Sequence, residues 1–210
     1  MPRVLSEREI EKRLYGCRHC YQLLHPKWLD MVERATQQII YHYYSLPCKR
    51  RTSLNLLHLI SRYWPKEYQA FESATHMVET TAKIVDHLLF FLPDQRITNP
   101  IVLYEPMRVW SNALQLHVQF TFDLVERSKD HFIIKRFIIH EDPYILETYK
   151  YMLIYLCHEV FNDWPDHIEF IHLLTGKKID ISTTEMNVQQ AIHYLSLIKD
   201  SQSRKRLYHH

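Results

Sequence analysis

The stretch LQLHVQFTFDLVERSKDHFIIK, residues 114–135, decides the fold of this chain. Its first half alternates apolar and polar residues, which predicts a β-strand with one buried and one exposed face. The polar segment Glu126–His131 predicts a turn, and the run FIIKRFII (132–139) after it is apolar on both faces, as in a central strand. These residues predict a hairpin inside a larger α/β domain, with Asp123 near the end of the exposed face of the first strand and Lys135 in the second.

The composition indicates one domain with a packed core. Hydrophobic residues make up 46% of the 210 residues, which excludes an intrinsically disordered protein. Only two glycines occur, Gly16 and Gly176, and they lie far apart. The glycine-rich loops of dinucleotide-binding proteins, P-loop NTPases and GxSxG hydrolases are therefore excluded.

Charge and hydropathy favour a cytoplasmic protein with no membrane partner. The formal net charge of +2 is too small to establish a polyanion partner by itself. No apolar run of roughly 18 residues occurs, and the N-terminal MPRVLSEREIEKR is charged where a signal peptide would be apolar. The four cysteines are consistent with reduced thiols in that compartment.

The first 92 residues are predicted to be almost entirely helical. A capping box at Ser6–Glu9 begins the first helix, and Pro26 begins the second. Thr52 is a suitable N-cap for a third helix, and Pro65 is expected to begin a longer fourth one.

The remaining chain is predicted to alternate strands with two helices. A strand begins at Ile101–Glu105, before the hairpin described above, and a helix follows from Asp142 to about Asn162. A second hairpin pairs His167–Leu174 with Ile179–Ile181. A capping box at Ser182–Glu185 is expected to open the last helix.

Three segments in this order resemble those of a known nuclease family. They are the opening helix LSEREIEKRLYGCRHCYQLL (5–24), the later helix LETYKYMLIYLCHEV (146–160) and the final hairpin IEFIHLLTGKKIDIS (168–182). Together they resemble the RecB-like branch of the PD-(D/E)XK nuclease superfamily across nearly the whole chain. The resemblance implies a mixed α/β domain over residues 1–210, with a helical part (1–92) and a restriction-endonuclease-like core (93–204), whose small mixed sheet is flanked by helices.

The resemblance also implies an active centre. Glu105 matches the glutamate that ends the family's first core strand. Asp123 matches the aspartate at the end of its Gly-x-Ile-Asp strand. Lys135 matches the lysine of its Asp/Glu-x-Lys strand. In that family two carboxylates, here Asp123 and Glu105, bind Mg²⁺ or Mn²⁺, and the lysine supports the negative charge that develops during phosphodiester hydrolysis. From the residues alone, Lys135 in an apolar strand is expected to pair with an anion, for which Asp123 and Glu105 are the candidates.

Two positions depart from the family pattern. Ile133 occupies the place of the acid two residues before the lysine, and Phe120 replaces the glycine three residues before Asp123. Isoleucine cannot bind a metal, and phenylalanine fills space near the site. The favoured interpretation is that the fold is kept for nucleic-acid binding or processing while catalysis is lost or weakened.

Two alternatives stay open at this point. In one, the protein is an active metal-dependent DNA nuclease whose missing carboxylate has migrated to the following helix. Glu147 is the best-placed replacement and Glu141 is less favoured. The other catalytic residues would be Glu105, Asp123 and Lys135. In the other, the fold serves only as a scaffold for a protein partner.

Short clusters mark candidate ligand-binding residues. Lys49, Arg50 and Arg51, and the basic tail SRKR (203–206), are candidates for contacts with the phosphates of a nucleic acid, most simply DNA. For either cluster taken alone, solvated surface charge is the favoured interpretation. The preceding YHYY (41–44) resembles an aromatic platform for bases, although at helical spacing some of its rings must face the core.

One Cys-x-x-Cys pair raises the possibility of a metal site. Cys17 and Cys20 would need two further ligands, and only Cys48 lies near them in the sequence. Buried helix cysteines are the favoured interpretation.

Overall fold

The structure is a computed structural model that describes residues 4–15, 26–93, 100–128 and 131–205, with side chains through residue 200. Cys17 and Cys20 lie outside the described residues, and so does Arg206 of the basic tail. The interpretation of these cysteines and of the tail therefore stays a prediction.

Four helices lie in the described residues of the N-terminal half. They are α1 (Glu7–Tyr15), α2 (Lys27–Ser45), α3 (Ser53–Tyr63) and α4 (Ala74–Phe91). The predicted cap of α3 is confirmed, since Thr52 accepts a hydrogen bond from the Asn55 N–H at 3.3 Å. The predicted start of the fourth helix at Pro65 was wrong, because α4 begins after Ser73, whose hydroxyl accepts from the His76 N–H at 3.0 Å.

The described strands form a mixed sheet of six, of which the first comes from the N-terminal half and the other five from the second half. The strands are β1 (Val4–Ser6), β2 (Val102–Ser111), β3 (Leu116–Arg127), β4 (Phe132–Ile138), β5 (His167–His172) and β6 (Lys177–Ser182). The long strand β3 pairs with β2 antiparallel along one edge, and with β1 (parallel) and β4 (antiparallel) along the other. β5 is parallel to β4, and β6 closes the second predicted hairpin.

Strand β1 was not predicted. It has only three residues, and it forms because they pair with His117–Gln119, more than a hundred positions later in the chain. No local pattern reveals a pairing of that range.

Two further helices, α5 (Pro143–Phe161) and α6 (Val188–Lys205), follow β4 and β6. The predicted start of α5 near Asp142 is confirmed, and Asp142 is its N-cap, with Oδ1 accepting from two backbone N–H groups. The expected capping box at Ser182–Glu185 was wrong: the Ser182 hydroxyl pairs with the Thr184 hydroxyl, and the Thr183 hydroxyl donates to the Pro165 carbonyl. The reciprocal bonds of a capping box are made by Asn187 and Gln190 at the true start of α6.

Apolar side chains pack on both faces of the sheet. One cluster joins the sheet to α1, α5 and α6, and includes Phe120, Phe122 and Phe170. The other joins the sheet to α2, α3 and α4, and includes Tyr43 and Leu124. The prediction of a mixed α/β domain whose sheet is flanked by helices is therefore confirmed at this level.

Candidate functional site

The alternation of β3 breaks at Asp123. In a regular strand, residues two positions apart face the same side of the sheet. Here Phe122 packs in one hydrophobic cluster and Leu124 packs in the other, so the alternation is interrupted between them. Tyr104 lies opposite in the register with β2 and has a φ of 48°, a conformation rare for a tyrosine. As a result Asp123 is buried, with 3% of its surface exposed, and the prediction that it lies on an exposed strand face was wrong.

The partner of Asp123 is Arg136 on β4. The Arg136 Nη1 donates to Asp123 Oδ1 at 2.5 Å and to the Thr121 carbonyl at 3.0 Å. Its Nη2 donates to Glu7 Oε1, also at 2.5 Å. One guanidinium thus joins β3 and β4 to the start of α1.

Aromatic rings enclose the guanidinium. Its central carbon lies 4.9 Å from the ring centre of Phe120 and 5.4 Å from that of Tyr149. Phe120 fills space near Asp123, as the sequence predicts, and its ring packs against Arg136. A planar cation between rings is a favourable arrangement for arginine.

The remaining carboxylate oxygens are also satisfied by backbone groups. Asp123 Oδ2 accepts from the Phe137 N–H at 2.9 Å, and Glu7 Oε2 accepts from the Thr121 N–H at 3.1 Å. Each oxygen of the two carboxylates therefore has an internal donor.

Burial and charge shift the pKa values of this group. Burial by itself lowers the pKa of Arg136, but the carboxylates of Asp123 and Glu7 raise it above its ordinary value, so the guanidinium stays charged. Burial raises the pKa of Asp123 to about 6, although Arg136 acts in the opposite direction. The ion pair is therefore complete at neutral pH.

A cavity of about 290 Å³ adjoins this network between α1, α2, β4 and α5. Glu11 lies on its wall and accepts a 2.5 Å hydrogen bond from the Tyr149 hydroxyl. Glu33 is exposed overall but lines the same cavity, where desolvation of its carboxyl and the negative charge of Glu11 raise its pKa to about 7.

The structure does not bring the predicted catalytic residues together. Lys135 points to the face opposite Arg136, and its Nζ lies 3.2 Å from both carboxylate oxygens of Glu126. An anion partner for Lys135 is confirmed, but its expected identity as Asp123 or Glu105 was wrong.

The three other predicted carboxylates do not line the cavity. Glu105 is exposed on β2, opposite Phe122. Glu147 forms a 2.5 Å salt bridge to Lys150 on α5, and Glu141 forms one of 2.9 Å to Lys177. These residues therefore do not place Glu105 beside Asp123. They also do not supply a carboxylate in place of the acid that is missing at Ile133.

The residues at the buried network do not fit a divalent cation. The position between Asp123 and Glu7 is taken by the Arg136 guanidinium, and their oxygens already accept from protein donors. Within the described part of the chain, no group of three or more His, Cys, Asp or Glu side chains is arranged to hold a metal ion.

Sequence reasoning missed Arg136 and Glu7. Glu7 was recognised only as part of a capping box, because its contact with β4 spans 129 positions. Arg136 had a usable signal: it lies beside Lys135 in the same apolar strand, and buried ion pairs favour arginine over lysine.

The predicted basic cluster divides between surface and structural roles. Lys49 and Arg50 are exposed in a short 3₁₀ turn after α2. Arg51 instead donates to the carbonyls of Leu46 and Tyr44 at the end of α2. It closes that helix rather than extending into solvent.

The aromatic residues beside this cluster divide as predicted between core and surface. Tyr43 and Tyr44 are buried, whereas Tyr41 is 45% exposed. The ring of His42 is stacked on Tyr63 at 4.7 Å. The Arg62 guanidinium lies 5.3 Å from the Tyr63 ring centre.

Charges along this part of the sequence are strongly segregated. No acidic residue occurs between Glu33 and Glu67, while six basic ones do: Arg34, Lys49, Arg50, Arg51, Arg62 and Lys66. We call the exposed side chains of residues 34–66 the basic face. It contrasts with the cavity, whose lining includes Glu11 and Glu33.

No family model matches the chain, and a search of curated proteins gives no match either. None of the described helices is both long enough and apolar enough to cross a membrane.

Proposed function

We propose that this protein is a nuclease-like domain that binds nucleic acid without cleaving it. The observation that carries the proposal is the basic face, where exposed Lys49, Arg50 and Arg62 lie in a segment without acidic residues. Binding to phosphates depends on such clustered cations far more than on net charge. The order of three strands, a helix and a further strand supports the nuclease-like assignment.

The proposed loss of cleavage is supported by the Arg136 network. Hydrolysis in the family that the sequence resembles needs a divalent cation between carboxylates, and here an internal guanidinium lies between Asp123 and Glu7. Lys135 forms its salt bridge with Glu126, on the opposite side of the sheet.

The salt dependence of DNA binding tests this proposal. We expect a fluorescein-labelled DNA to bind with an affinity that falls linearly with salt on logarithmic axes. The double variant Lys49→Gln/Arg50→Gln should reduce that slope by roughly one to two, because each lost phosphate contact releases about one fewer counterion.

Lys83→Gln is the matched control, since Lys83 is an exposed lysine on α4 outside the basic face. The absence of salt-dependent binding would refute the proposal and favour a scaffold for a protein partner. Cleavage of the DNA in the presence of Mn²⁺ would refute the non-catalytic part and favour the active nuclease.

A further inference from the structure

A groove of about 380 Å³ lies between α2 and β2. Four residues of α2 line it at the helical spacing i, i+3, i+4 and i+7: Arg34, Gln37, Gln38 and Tyr41. Tyr104 of β2 closes the opposite wall. Gln37 and Tyr104 also line the acidic cavity, so the groove adjoins that cavity and opens on the edge of the basic face.

The groove combines three kinds of chemistry. The rings of Tyr41 and Tyr104 provide flat apolar surfaces, and the Gln37 and Gln38 amides provide both donors and acceptors. Arg34, which is exposed, provides a positive charge at the groove. A nucleotide has the matching features: a flat ring, an edge of donors and acceptors, and a phosphate.

The backbone of Tyr104 gives an independent indication that this place is functional. Its φ of 48° is unfavourable for an aromatic residue and occurs opposite Asp123, where the alternation of β3 breaks. Unfavourable backbone conformations of this kind concentrate at ligand-binding sites.

We infer that this groove binds one unpaired nucleobase, and that the nucleic acid bound by the protein is therefore single-stranded. The inference rests on the proposed function, and it adds the substrate class and a base-binding site. Stacking requires access to the face of a base, and a duplex covers those faces with neighbouring base pairs. The basic face binds the phosphates of the same strand on either side of that nucleotide.

The test compares a labelled 12-nucleotide DNA strand with its duplex. We expect the single strand to bind more tightly, and Tyr41→Leu to weaken single-strand binding by about tenfold, a typical effect of losing one base-stacking contact. Tyr41→Phe keeps the ring and should bind like the wild type. Duplex binding should be the same for all three proteins.

A 2-aminopurine in the strand gives a readout of stacking. Its fluorescence should be quenched on binding to the wild type and to Tyr41→Phe, and much less on binding to Tyr41→Leu. Tyr68→Leu is the control, because Tyr68 is 58% exposed and lies outside the groove.

The outcomes separate the two proposals. Equal affinity for single strand and duplex, with no effect of Tyr41→Leu, would overturn the base-binding groove while leaving salt-dependent binding through Lys49 and Arg50 intact. Absence of binding to both DNAs would overturn the proposed function and the groove together.

Discussion

Arg136 and Lys135 are neighbours in β4, yet they have different surroundings. Adjacent strand residues point to opposite faces, so Arg136 meets Asp123 and Glu7 while Lys135 meets Glu126. The rigid fork of a guanidinium can bind two carboxylates and a carbonyl at once, which an ammonium group does less well. This difference decides which of the two cations organises the buried site.

We predict that Arg136→Met reduces the free energy of unfolding by about 3–5 kcal/mol, because it leaves the charges of Asp123 and Glu7 without their cation. Urea denaturation measures this change. Arg127→Met is the control, since its 2.6 Å pair with Asp163 is exposed and should contribute no more than about 1 kcal/mol. Similar losses in both variants would contradict the central role of Arg136.

Glu33 gives a pH-dependent prediction. Its pKa of about 7 in the folded protein exceeds its ordinary value of 4.5, so folding favours the protonated form. Wild-type stability should therefore fall as the pH rises from about 4.5 to about 7. Glu33→Gln, which cannot ionise, should have a higher Tm than the wild type at pH 8 and nearly the same Tm at pH 5.

Thermal unfolding at the two pH values measures that difference. Glu79→Gln, which removes a carboxylate from an exposed position on α4, controls for the loss of a surface charge. If the Tm difference between Glu33→Gln and the wild type is the same at pH 5 and pH 8, the prediction is wrong.

Helix starts show where local patterns suffice and where they do not. Thr52 caps α3 as the sequence predicts, because a cap needs only a side-chain oxygen and the next three residues. At Ser182–Glu185 the same pattern misleads, since the Ser182 hydroxyl pairs with the Thr184 hydroxyl at 2.5 Å and the helix begins after Asn187. A cap signal therefore identifies a helix start only when its side-chain oxygen accepts from a backbone N–H.

We predict that Asn187→Ala lowers the free energy of unfolding by about 1 kcal/mol, because the alanine cannot accept from the Gln190 N–H. Glu185→Ala, at an exposed residue before α6, should change it by no more than a few tenths of that amount. Chemical denaturation of the two variants measures both effects. The reverse order would favour the capping box at Ser182–Glu185.

The domain as a unit places opposite charges in separate groups. Glu11 and Glu33 line the cavity, whereas Lys49 and Arg50 belong to the basic face. An acidic cavity attracts cations, but the strongest carboxylate pair is already neutralised by Arg136. The basic face and the buried Asp123 network are thus separate in this fold.

We predict that Mn²⁺ at millimolar concentration produces no binding heat and no change in Tm, because the Arg136 guanidinium already lies between Asp123 and Glu7. Isothermal titration calorimetry and thermal unfolding measure the two quantities. Binding that is lost in Asp123→Asn would contradict the prediction and would mean that the metal displaces the guanidinium.

Local patterns in the sequence determined most of the secondary structure. The β3–β4 hairpin, α2, α3, α5 and the final hairpin follow from period-two or helical spacing and from caps, which act between residues close in the chain. The mixed α/β class followed from their order. The same patterns placed Asp123 on an exposed face, because a regular alternation cannot reveal its own interruption.

Only the tertiary structure decided the site. Glu7 reaches Arg136 across 129 positions, β1 pairs with β3 across a similar range, and Tyr104 lies opposite Asp123 only once β2 and β3 are in register. Whether a carboxylate is solvated, bound to a metal or paired with a guanidinium depends on groups that burial brings together. In this protein the pairing of β3 with β4 gave Asp123 an arginine, and the packing of α1 gave the same arginine its second carboxylate, Glu7. The contact with Glu7 is encoded by no local pattern.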